Sequence, residues 1–118
     1  MEDPATAKKA EGIARLANAS FLSGGFEQAL QAYGEALSLT PDNGPLLLAR
    51  AQCYIKMGES SSDATAETMY ALAIVDAEVA VQHTPGAETA AQAHAARAEA
   101  LWMLERHQEA EVALELAL

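Results

Sequence analysis

The side chains of this 118-residue chain that are equipped for chemistry are three histidines, one cysteine and a few serines, and their placement decides what is open to them. His83, His94 and His107 fall on separate expected elements, and none stands with a second ligand type at the helical spacing that grips a metal ion. They read as surface or packing residues, so no metal is expected. Ser20, Ser23 and Ser38 have no histidine and acid near them in the order of a nucleophilic triad. The chain is therefore read as a non-enzyme without a cofactor. Cys53 is the only cysteine, cannot form an intramolecular disulfide, and reads as a small buried hydrophobe inside a helix. The run Glu105, Glu109, Glu111 and Glu115 is the solvated face of a last helix or, alternatively, an acidic stripe for a basic partner. Trp102 is either a packing residue or an anchor for something bound. Ser60-Ser61-Ser62 reads as a loop, where phosphorylation would place negative charge at a helix N-terminus.

What must position these residues is set by composition. Hydrophobic residues make up 51% of the chain, yet 28 of them are alanines and only six residues are Phe, Tyr or Trp. Alanine is the best helix former, and no stretch alternates apolar and polar residues, so an all-α chain is expected. The length fits one domain. A net charge of −10 with only seven scattered basic residues speaks against a nucleic-acid partner and for a basic or apolar one. Met1-Glu2-Asp3-Pro4 lacks the basic-then-apolar order of a secretion signal, and no apolar run reaches membrane-spanning length. A cytoplasmic location is expected, a nuclear one being the alternative, with no membrane partner.

Helix punctuation divides the chain into six expected helices. Asp3 as cap and Pro4 in the first turn open a helix to about Ser23, with Ala10, Ile13, Leu16, Ala17 and Phe21 on its apolar stripe. Gly24-Gly25 breaks it, and the next helix carries Ala29, Tyr33, Ala36 and Leu37 on one stripe before Pro41 ends it. Asp42-Asn43-Gly44-Pro45 gives a loop, a cap and a first-turn proline for a third helix to Met57. Gly58 is expected to close that helix in a left-handed cap. A long fourth helix runs from about Ala64 to Gln82, buries Tyr70, Ala73, Ile74, Ala77, Ala80 and Val81, and ends in His83-Thr84-Pro85, as the second ends in Leu39-Thr40-Pro41. Thr84 or Ala87 opens a fifth helix to about Leu104, and a sixth from His107 carries Ala110, Leu114 and Ala117. Pro41 and Pro85 lie 44 residues apart, ten more than the 34-residue period of one helical-repeat class, and the surplus is Glu59–Thr68.

These residues resemble the tetratricopeptide-repeat (TPR) family over nearly the whole chain. Leu16, Ala17, Gly24, Phe26, Ala29, Tyr33, Ala36 and Pro41 match its first-repeat pattern, with Ser20 where a large aromatic is usual. Arg50, Ala51, Tyr54, Gly58, Tyr70, Ala73, Ala77, Ala80 and Pro85 match a second repeat once the insertion is allowed. Ala98, Leu101, Ala110 and Ala117 match a degenerate third, in which Glu105 and His107 replace the usual glycine and tyrosine. The resemblance implies a right-handed α-solenoid of three antiparallel helix hairpins, the second with a lengthened second helix, as one domain with repeats at about 10–43, 44–87 and 88–118. Such a stack has a concave groove lined by the first helix of each pair.

The resemblance implies a non-catalytic protein-binding module, an adaptor, scaffold or co-chaperone, that holds a peptide segment of a partner in that groove. Helix geometry nominates Arg15, Asn18, Phe21, Gln52, Ile55, Lys56, Glu99 and Trp102 as its contacts. One subset of the family grips acidic chaperone tails with a carboxylate clamp of Lys, Arg and Asn. Asn18 fills the clamp's first asparagine place, but Ala14 stands for a lysine, Ala49 for the second asparagine, and Gln92 and Ala96 for basic residues. A chaperone is thus one partner class, and a basic or apolar segment is another. The apolar end Leu114-Glu115-Leu116-Ala117-Leu118 has no helix to cover it, which reads as an N-terminal fragment of a longer protein. The alternative is a self-association module that forms a homodimer through this last helix or through the long fourth helix.

Overall fold

The computed structural model describes residues 3–84 and 86–117, with the side chains of Asp63 and of 107–117 outside the description. Its first helix, α1 (Pro4–Leu22), starts where Asp3 Oδ1 accepts the Ala5 N–H at 3.3 Å and Pro4 fills the first turn. It stops at Gly24, whose φ of +87° is the left-handed value that a side chain resists. α2 (Phe26–Leu39) follows. The third, α3 (Gly44–Glu59), is capped by Asn43, whose Oδ1 accepts the Leu46 N–H at 3.2 Å, a contact worth about 1 kcal/mol. Then come α4 (Asp63–Gln82) and α5 (Ala87–Ala117), and no strand occurs among the described residues.

Each helix packs on the next, and α3 also touches α5. The core between them is built from few large side chains and many alanines. Ala29, Tyr33 and Ala36 of α2, Leu47, Ala51 and Ile55 of α3, Tyr70, Ala73, Ala77 and Ala80 of α4, and Ala93, Ala96 and Ala100 of α5 are all buried in one cluster. Residues 44 positions apart play the same part: Ala29 and Ala73, and Ala36 and Ala80, are all fully buried. Thr40 Oγ1 donates to the Ala36 carbonyl at 3.1 Å and Thr84 Oγ1 to the Ala80 carbonyl at 2.5 Å. Thr84 therefore closes α4, and α5 opens at Ala87, the second of the two expected starts.

Four expectations are corrected. The chain is all-helical and stacked as expected, but the turn that would make a third hairpin is absent, because α5 runs unbroken through Glu105-Arg106-His107. None of those three residues is a glycine, proline or asparagine, so nothing local stops the helix. The contacts proposed for a sixth helix (Ala110, Leu114, Ala117), the acid run from Glu109 to Glu115 and the dimer surface on that last helix rest on side chains outside the described residues. Gly58 does not take a left-handed conformation: it lies inside α3, and a Cβ there would stand 2.6 Å from Tyr70 Cε1 and 2.8 Å from its Cζ. Its missing side chain lets the buried Tyr70 ring sit against the backbone. Leu16, placed on the apolar stripe of α1, is 69% exposed, because that side of α1 has no helix packed against it. Finally, Glu59 belongs to α3 and the serine linker is only Ser60–Ser62, with most of the ten-residue surplus absorbed as helix.

Two polar groups hold the α3–α4 joint. Asp76 is 5% exposed, and its carboxylate accepts from Arg50 Nε at 2.7 Å and Nη2 at 2.8 Å. That bidentate hydrogen bond raises the Arg50 guanidinium further above its ordinary value. Arg50 also lies 6.0 Å over the Tyr54 ring. Cys53, fully buried, donates its thiol to the Phe26 carbonyl at 3.2 Å, and burial pushes its pKa up to about 11. A thiol held protonated is no nucleophile, so Cys53 is a packing residue.

Candidate peptide-binding groove

α1 and α3 are separated by two clefts that follow one another along the pair. The smaller, of about 270 Å³, is lined by Phe21 from α1, Gln52, Ile55 and Lys56 from α3, and Glu99 from α5. Its floor is Ile55, which is buried. Phe21 is half-buried and braced edge-on by Phe26, with ring centroids 5.3 Å apart. Around this apolar floor stand an amide, a cation and an anion, all exposed. Lys56 reaches Glu59 at 3.6 Å, an exposed pair of the kind worth well under 1 kcal/mol. Its ammonium therefore stays available to the cleft.

The larger cleft, of about 410 Å³, is bordered by Glu11, Ala14 and Asn18 of α1 and by Asn43 and Ala49 at the start of α3. Asn18 is oriented from below: the buried Tyr33 phenol donates to its Oδ1. Burial, with Cys53 nearby, raises the Tyr33 pKa and keeps that hydroxyl a donor. Phe21 lies three residues beyond Asn18 and Gln52 three beyond Ala49, so the clefts adjoin on the same face of both helices.

Of the eight residues nominated from sequence, Phe21, Gln52, Ile55, Lys56 and Glu99 surround the smaller cleft and Asn18 borders the larger. Arg15 is exposed and lines neither, and Trp102, 40% exposed, also stands apart from both. The lining of the larger cleft contains no lysine or arginine. Ala14 and Ala49 sit beside Asn18 there, where a carboxylate clamp needs a cation and a second amide, and the charge present is Glu11. Sequence reasoning did not single out Asn43 as a groove residue; its cap motif showed, but only the fold brings that cap to the border of a cleft it shares with Glu11, Ala14 and Asn18. Elsewhere, α4 carries Leu72 and Val75 on its outer side, with Val75 56% exposed, where α2 has Gln28 and Gln31 at the matching positions.

Among the described residues no group of His, Cys, Asp or Glu could hold a metal ion, and no helix is long and apolar enough to cross a membrane. Residues 20–62, from the end of α1 to the linker before α4, match the family model described as tetratricopeptide repeat. No curated protein and no solved structure matches the chain significantly.

Proposed function

We propose that this tetratricopeptide-repeat protein is a non-catalytic adaptor that holds a peptide segment of a partner in the groove between α1 and α3, against α5. Repeats of this family mediate protein–protein interaction. The observation that supports the groove is the smaller cleft: three helices far apart in sequence bring Phe21, Ile55, Gln52, Lys56 and Glu99 around one recess with an apolar floor and a polar rim. That composition suits an apolar side chain of a peptide whose backbone takes hydrogen bonds from the rim.

The test is selection from a displayed library of random nonapeptides, followed by titration of the recovered peptide against variants. Gln52→Trp, at an exposed position, plugs the recess without touching the core and is expected to weaken binding at least about tenfold, the scale of losing one buried anchor. Val75→Ser, on the outer side of α4, is expected to leave affinity unchanged, with both variants retaining wild-type helicity. Equal affinity for wild type and Gln52→Trp, or recovery of no peptide, would overturn the proposal.

A further inference from the structure

Resting on the groove reading, we infer that the larger cleft takes a lysine or arginine side chain of the bound peptide, set about four or five residues from the apolar side chain in the smaller cleft. The polar groups there are aimed. Tyr33 and the Leu46 N–H donate to the side-chain oxygens of Asn18 and Asn43 respectively, and neither amide nitrogen has a hydrogen-bond partner among the described residues, which leaves both as donors at the border of the cleft. Two amide donors suit the carbonyls of an extended backbone. Glu11, which has no ion pair among the described residues, is the one charged side chain in the lining and accepts from a cation. Lys8 and Arg15, about one turn to either side of it, are exposed and line neither cleft. Asp42, beside Asn43, is acidic as well, and the whole chain carries −10, so an acidic guest meets repulsion and a basic one attraction. The separation follows from α1. Glu11 and Phe21 are ten residues apart, about 15 Å at the helical rise, which an extended peptide covers in about four or five residues.

The test pans the same nonapeptide library at low salt against wild type and Glu11→Lys, an exposed change between two good helix formers. Wild type is expected to enrich Lys or Arg about fivefold at the stated distance from an apolar residue, the effect of one partly exposed charge pair. Glu11→Lys is expected to lose that preference and favour Asp or Glu there while keeping the apolar one. Apolar enrichment without a basic position, or a basic preference that survives Glu11→Lys, would overturn the inference and leave the groove reading standing. Enrichment of nothing by wild type would overturn both.

Discussion

Arg50→Met is expected to lower the folding free energy by about 3–4 kcal/mol, more than Asp76→Leu at the other end of the same ion pair, for which about 2 kcal/mol is expected. The asymmetry comes from burial. Asp76 keeps only 7% of its side chain exposed, whereas Arg50 keeps 26%. Removing Arg50 strands a carboxylate among apolar neighbours, while removing Asp76 leaves a guanidinium on a long stem that can turn its head to water and still pack over Tyr54. Because the stranded charge is the main cost, the double variant Arg50→Met with Asp76→Leu should recover most of the loss. Urea titration of the three variants checks this. Equal losses in the two single variants, with no recovery in the double, would mean that the pair does not clamp α3 to α4 as described.

The second large effect is at Gly58. Gly58→Val is expected to destabilise by about 3 kcal/mol and Gly58→Ala by about 1–2 kcal/mol, because the gain of up to about 1 kcal/mol in helix propensity is outweighed by overpacking against Tyr70. The ring has no open space to retreat into, because Tyr70 is fully buried. Gly34 in α2 is the internal comparison: a Cβ there meets nothing within 4 Å. Gly34→Ala should therefore stabilise by about 0.5–1 kcal/mol. Thermal unfolding of the variants decides the matter. If Gly58→Ala were to stabilise as Gly34→Ala does, close approach would not be the reason for glycine at 58.

Much of this architecture was legible from spacing alone. Alanines and tyrosines at three- and four-residue intervals marked the buried faces of α2 and α4, and Asp3-Pro4 and Asn43-Gly44-Pro45 marked two helix starts, because caps and periodicity are local properties. Tertiary properties were not legible. Gly58 looked like a helix stop, but its role is set by a ring twelve residues away. Nothing local marks Asp76 for burial, and only the partner 26 residues earlier explains it. Leu16 fitted the apolar period of α1 yet faces no helix. The break between α5 and a sixth helix came from the repeat template, whereas the residues at 105–107 are helix-competent. In the groove the same division holds. Positions such as Phe21, Gln52 and Lys56 could be placed by helix register, whereas Arg15 and Trp102 lie outside the clefts because register does not tell how far the neighbouring helix stands off.

Amide chemical-shift mapping of the labelled protein, titrated with the tightest library peptide, tests the groove most directly. The largest shifts are expected at Asn18, Phe21, Gln52, Ile55, Lys56 and Glu99, on the three helices that face the clefts. Shifts concentrated at Leu72 and Val75 on the outer side of α4, with the groove amides unmoved, would contradict it.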